Sequence, residues 1–160
     1  MAERPCGCPE IDAGEWEGVE HDLSHLAFFT RPVKYLFGSP IGFENQALQA
    51  ADDIQKRGYV LAEPLFVLEK PGRFSGLLLV GILPPSDPDP ALVSFAPTTK
   101  FIAKVYRRKE ASYDAGMKAF LAQAKEKHTE FKSIMMWHVG CPRCIQASGY
   151  TTIFLGELAG

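Results

Sequence analysis

Two halves of the chain carry the same order of strand and helix signals, the second about seventy positions after the first. In each half, a β-rich segment precedes an apolar stripe with the helical spacing i, i+3, i+4 and i+7, and two more strands follow. The stripe residues are Ala47, Ala50, Ala51 and Ile54 in the first half, and Met117, Phe120, Leu121 and Ala124 in the second. The sequence therefore predicts a tandem strand-helix-strand-strand repeat. We expect an α+β fold with an antiparallel sheet, two helices on one face and a ligand cleft between the halves.

The turn and breaker residues between these signals set the expected boundaries. We predict an N-terminal arm at 1–25 and a single domain at 26–160, with a first repeat at 26–83, a proline-rich connector at 84–97 and a second repeat at 98–160. The expected strands cover residues 27–37, 64–69, 74–83, 99–106, 133–139 and 149–158. Ser39-Pro40 is typical of a helix start, and the second helix is expected to begin near Lys109 or Ser112.

Composition excludes some classes of function. The 160 residues carry a net charge of −2, whereas nucleic-acid binding requires a basic excess on one face, so no nucleic-acid partner is expected. The longest apolar run, residues 77–83, is far shorter than the roughly 20 residues that span a bilayer, so no membrane partner is expected. No apolar segment follows residues 1–5 that could act as a signal peptide. These features favour a cytoplasmic protein.

The last predicted hairpin concentrates side chains that can hold a ligand. Glu157 lies in an otherwise apolar strand, and a carboxylate withdrawn from water favours a cationic guest or a proton-donating role. Trp137, with His138 beside it, offers an aromatic face that attracts a cation by about 0.5–2 kcal/mol. The residues expected to complete an aromatic box are Tyr35, Phe37, Tyr106, Tyr113, Tyr150 and Phe154. The alternatives are that Glu157 lies in solvent at a fraying strand end and that each aromatic residue packs in the core.

The four cysteines fall into two close pairs, Cys6 with Cys8 and Cys141 with Cys144. Two such pairs can supply the four thiolates of a tetrahedral structural zinc site, provided that the arm folds back onto the last hairpin. Free thiols and a disulfide are the alternatives. A redox dithiol needs a helix N-terminus directly after a strand, and residues 140–149 are expected to form a loop instead.

Two strand-helix-strand-strand units over residues 26–158, without a catalytic loop motif, resemble the GyrI-like small-molecule-binding family. The motifs Cys6-Gly7-Cys8-Pro9-Glu10-Ile11-Asp12 and Cys141-Pro142-Arg143-Cys144 are similar to those of a stand-alone subset often labelled as hydrolases. The resemblance implies that bulky, flat, often cationic compounds bind between the halves, held by aromatic side chains and a carboxylate. It also implies hydrolysis of cyclopropane-bearing natural products by some members. Members of this family that serve as effector domains of transcription regulators carry acidic residues at the positions of Met135, Met136 and Thr152. In this chain Glu157 is the only carboxylate of the hairpin.

Two hypotheses of function follow. The first is a binding protein that sequesters bulky hydrophobic, aromatic and cationic small molecules, with Trp137 and tyrosines stacking on the compound and Glu157 offsetting its charge. The second is a hydrolase with the same pocket, in which Glu157 acts as general acid or base and directs water at a strained or activated electrophile. No organic cofactor is expected for either.

Overall fold

The computed structural model describes residues 7–160, which divide into two compact units. The central unit contains residues 22–99, and the terminal unit contains residues 7–21 and 100–160. In chain order the elements are α1 (Ala13–Trp16), β1 (Glu20–His21), β2 (Ala27–Leu36), β3 (Ser39–Ile41), α2 (Phe43–Lys56), β4 (Val67–Lys70), β5 (Ser75–Ile82), β6 (Val93–Ser94), β7 (Phe101–Arg108), α3 (Asp114–Glu126), β8 (Phe131–Val139), α4 (Pro142–Ser148) and β9 (Tyr150–Leu158). The strands pair antiparallel within each unit. The predicted α+β class with antiparallel strands is confirmed.

In the central unit, neighbouring strands follow the order β4, β5, β2, β3, and β6 also pairs with the start of β2. Helix α2 is amphipathic and buries Ala50 and Ile54 against residues of β2 and β5, including Val33 and Leu78. Burial of these apolar side chains provides the main stabilisation of the unit. None of the helices found over residues 7–160 is long and apolar enough to cross a membrane.

In the terminal unit, the strand order is β1, β7, β9, β8. Met136 of β8 lies opposite Phe154 of β9, and both are fully buried with Phe120 of α3. The Phe120 ring stacks on Phe131 at 4.9 Å and on Phe154 at 5.8 Å. Successive strand residues face opposite sides of a sheet, so Trp137 lies on the face opposite α3.

The first long helix begins later than the sequence predicts. Ser39 and Pro40 belong to β3, where Pro40 lies opposite Tyr35 of β2. Phe37 and Gly38 form the two-residue turn between these strands, with φ of 51° and 79°, as expected for a type I′ hairpin. The prediction that Ser39-Pro40 starts the helix is therefore wrong, because both residues pair with β2 in a tight hairpin and the helix begins only at Phe43.

Candidate functional site

Trp137 is a core residue in the structure. It is 2% exposed, and its ring lies 5.6 Å from the ring of Trp16 in α1. Trp16 in turn stacks on His21 at 4.8 Å, and the His21 Nε2 atom lies 2.7 Å from the Trp16 carbonyl oxygen. These contacts hold residues 13–21 against residues 100–160 of the same unit. Trp137 therefore serves to anchor the N-terminal segment, whatever further contacts it makes.

Trp137→Ala is expected to lower the free energy of unfolding by about 3–5 kcal/mol, since it leaves a large cavity under α1. The urea midpoint, followed by circular dichroism, measures this loss. Phe37→Ala is the matched control, because Phe37 is 97% exposed and its removal should change stability by no more than about 0.5 kcal/mol. Equal losses for the two variants would contradict the anchoring role of Trp137.

Three of the predicted aromatic residues gather around one cation of the chain itself. The Arg108 guanidinium lies 5.5 Å from the Tyr106 ring centre, 6.0 Å from that of Tyr113 and 5.3 Å from that of Tyr150. The His138 ring lies 5.5 Å from the Tyr113 ring. The tyrosines thus face a guanidinium that belongs to β7. Phe154 is fully buried in the core of the terminal unit, and its ring lies 6.1 Å from that of Tyr106.

Glu157, the carboxylate singled out from the sequence, does not point into bulk water. Its side chain is 13% exposed and lies in β9, opposite Ser133 of β8. The Ser133 hydroxyl donates to Glu157 Oε2 at 2.7 Å, and Lys132 Nζ lies 3.8 Å from Glu157 Oε1. A serine and a lysine of the chain therefore already satisfy this carboxylate.

The structure reveals a second carboxylate, Glu69, that the sequence reasoning missed. Glu69 is 1% exposed and is the only buried carboxylate within residues 7–160. The Tyr35 hydroxyl donates to Glu69 Oε1 at 2.6 Å, so one predicted site residue, Tyr35, does meet an acid. A Cβ atom at Gly76 would lie 2.7 Å from Tyr35 Cε2. The absence of a side chain at Gly76 therefore leaves room for the Tyr35 ring.

Glu69 was missed because it precedes Lys70-Pro71-Gly72 and looks like the polar end of a strand. In the structure Leu68 and Glu69 are both buried, although neighbouring residues of a strand face opposite sides. Strand β4 is thus buried on both faces, and such strands show no polar alternation. A glutamate in a strand that is buried on both faces is unusual, and this feature of the sequence could have identified Glu69 as a candidate site residue.

The remaining site candidates are the cysteines. The sulfur atoms of Cys8, Cys141 and Cys144 all lie within 4.8 Å of one another. The Cys141 and Cys144 sulfur atoms are 3.8 Å apart. Cys6 was predicted as a fourth ligand and lies outside the described residues. We call the three cysteines the thiol cluster; it brings residue 8 of the N-terminal segment to the last hairpin, as the sequence predicts.

Helix α4 positions two of these thiols. Residues 140–149 are not a loop: α4 follows β8 after two residues, with Cys141 as its N-cap and Cys144 in its first turn. The loop prediction is therefore wrong, and the strand-to-helix arrangement that a dithiol requires is present. Gly149 ends the helix with φ of 80°, and a Cβ atom there would lie 2.6 Å from the Arg108 carbonyl oxygen. Glycine is needed at this turn because other residues rarely adopt such a φ.

A family model described as bacterial hydrolase matches residues 1–156. The chain belongs to this bacterial hydrolase family. The match extends over both units and over all four cysteines. Comparisons with curated proteins and with solved structures gave no match.

In hydrolytic reactions, carboxylates and imidazoles are the side chains that most often activate water. Three of them stand out in the structure: Glu69 beside Tyr35, Glu157 beside Ser133, and His138, whose Nδ1 atom lies 3.0 Å from Thr152 Oγ1. Glu157 has a lysine within ion-pair distance. Glu69 differs from both others in being withdrawn from water almost completely.

Proposed function

We propose that this member of the bacterial hydrolase family hydrolyses a small hydrophobic molecule, with Glu69 as its general acid or base. The observation that carries the proposal is the pair formed by Glu69, 1% exposed, and the Tyr35 hydroxyl that donates to it at 2.6 Å. A folded chain gains nothing in stability by withdrawing a carboxylate from water, because desolvation is costly. Glutamate is almost never fully buried in a folded protein without a specific reason, and we take that reason to be function.

The proposed chemistry is an attack by water on a strained or activated carbon. Glu69 takes a proton from the water as the new C–O bond forms, and it returns the proton to the leaving atom as the old bond breaks. The Tyr35 hydroxyl holds the Glu69 carboxylate in one orientation. During the reaction it can donate its hydrogen bond to the substrate instead of to Glu69. Positioned proton transfer of this kind typically contributes about 10²–10⁴-fold to the rate.

The fold supports a finer family assignment, which we also propose. The central unit has the order β2, α2, β4, β5, and the terminal unit has β7, α3, β8, β9, with short elements between them. This order matches the GyrI-like small-molecule-binding pattern expected from the sequence. Substrates of bulky, flat and hydrophobic character fit that proposal.

A second candidate function is binding without turnover, in which the protein sequesters hydrophobic cations. The same pair favours it, because a buried carboxylate beside an aromatic ring attracts a cation. In this case Glu69 would take the charge-offsetting role that the sequence suggests for Glu157.

A compound panel separates the two functions. The protein is incubated with lipophilic cations and with reactive electrophiles such as epoxides and cyclopropanes, and each mixture is analysed by mass spectrometry. We expect an electrophile to be converted to its hydrated product. Saturable binding with every compound recovered unchanged would favour sequestration, and neither binding nor turnover would refute both functions.

We further propose that the thiol cluster holds a structural zinc ion. A tetrahedral site with Zn–S distances of about 2.3 Å places neighbouring sulfur atoms about 3.8 Å apart, and Cys141 and Cys144 are separated by 3.8 Å. Cys8 supplies a third thiolate, and Cys6, two residues earlier in the chain, is the proposed fourth ligand. Zinc would tie the N-terminal segment to α4. Such thiolates persist in a reducing compartment, which agrees with a cytoplasmic protein.

A further inference from the structure

Arg108 is a half-buried cation with an unsatisfied donor. It ends β7, where Nη1 donates to Thr152 Oγ1 at 2.9 Å and Nη2 donates to the Ala111 carbonyl oxygen at 3.0 Å. The Nε atom is buried and has no hydrogen-bond acceptor among the described residues. Buried donors are almost always satisfied. Within residues 7–160, an acceptor for Arg108 Nε is therefore missing.

Residues 7–160 also provide no counter-charge for Arg108. Within the described part of the chain, no carboxylate lies within ion-pair distance of its guanidinium. The groups that surround the guanidinium are instead the ring faces of Tyr106, Tyr113 and Tyr150. Desolvation by burial lowers the pKa of Arg108, although the guanidinium stays protonated. The tyrosine faces offset part of the cost of withdrawing this cation from water, and a bound anion would offset more of it.

The groups around Arg108 suit an oxyanion. Thr152, which is fully buried, accepts from Arg108 and also lies 3.0 Å from His138 Nδ1. The hydroxyls of Tyr106 and Tyr150 make no hydrogen bond within residues 7–160. Hydroxyl, imidazole and guanidinium groups all donate to carboxylate or phosphate oxygens.

We propose that Arg108 anchors a binding site for an oxyanion, either the carboxylate or the phosphate group of a small ligand. The planar guanidinium offers Nε and a neighbouring Nη as a fork that matches two oxygens of such a group. This site lies in the terminal unit and is independent of the hydrolase proposal, which rests on the central unit. A purely structural role for Arg108, in which it holds β9 through Thr152 and the segment after β7 through Ala111, accounts for the two Nη contacts but leaves Nε unsatisfied.

Nuclear magnetic resonance of the arginine Nε–H groups tests this proposal on the full-length protein. The Arg108 and Arg107 signals are assigned through bonds, and inorganic phosphate and benzoate are titrated separately at constant ionic strength with chloride. We expect a saturable shift of the Arg108 signal with at least one probe. Arg107 is the internal control, because it belongs to the same strand but points to the opposite face and donates to the Ile11 carbonyl oxygen.

A substitution at Arg108 tests whether the guanidinium itself binds the probes. Arg108→Lys keeps the charge but loses the fork, so we expect it to weaken binding at least about tenfold, as read from the His138 imidazole signals. Arg107→Lys should leave the affinity unchanged. Saturation by phosphate alone would assign a phosphate ligand, and saturation by benzoate alone would assign a carboxylate. Linear shifts with both probes, or equal responses of Arg107 and Arg108, would overturn the proposal.

Discussion

Glu69→Gln is expected to lower kcat/KM for the hydrolysed compound by about 10²–10⁴-fold, the usual contribution of a general acid or base. Glutamine has nearly the same volume as glutamate and still offers an oxygen to the Tyr35 hydroxyl, which donates to Glu69 in the native protein. It cannot accept a proton from water. The fold should therefore persist while the chemistry is lost, and steady-state kinetics together with a thermal melt would measure both.

Two further variants make this result specific. Glu126→Gln removes an exposed carboxylate at the end of α3 and should leave kcat/KM unchanged. Glu157→Gln tests the carboxylate that the sequence favours; because Ser133 and Lys132 already contact it, we expect a much smaller loss than for Glu69→Gln. The reverse order of losses would transfer the catalytic role from Glu69 to Glu157.

Removal of the proposed zinc ion is expected to lower the melting temperature by about 10 °C or more, because the binding energy of a structural metal is part of the folding energy. Protein purified without added metal should contain about one zinc ion per chain. Cys144→Ser should remove the metal and reproduce the loss, since Cys144 is the buried member of the thiol cluster. Metal analysis and thermal melts with and without a chelator provide the measurement.

Arg143→Gln is the matched control for this experiment, because Arg143 is exposed and lies between the two cysteines of α4. Its metal content and melting temperature should equal those of the native protein. A metal-free native protein whose thiols all react with a thiol reagent would refute the zinc proposal. A disulfide between Cys141 and Cys144 would refute it as well.

Most strands could be predicted from the sequence because β-branched and aromatic runs between glycines are strong local signals. The predicted strands 133–139 and 149–158 correspond to β8 (Phe131–Val139) and β9 (Tyr150–Leu158). Short elements were missed where a local signal favoured another structure. Helix α4 has only seven residues, too few to show a periodic apolar stripe, and Ser39-Pro40 carries a helix-start signal that pairing with β2 overrides.

The candidate site was less predictable than the fold. The proximity of Cys8 to Cys141 and Cys144 could be predicted because two close pairs of cysteines are typical of a shared metal site. The hydrogen bond between Tyr35 and Glu69 could not be predicted, because it depends on the register of β2 and β5 and on the burial of both faces of β4. Likewise, the sequence shows Arg108 in a run of basic residues, and only the fold places three tyrosine rings around it.

The most direct test of the central role of Glu69 is turnover in water enriched in oxygen-18, with the native protein and Glu69→Gln side by side. We predict that the native protein places one labelled oxygen atom in the product and that Glu69→Gln forms this product at least about a hundredfold more slowly. Equal labelled product from both proteins would contradict the role of Glu69. Product without label would show that the reaction is not hydrolysis.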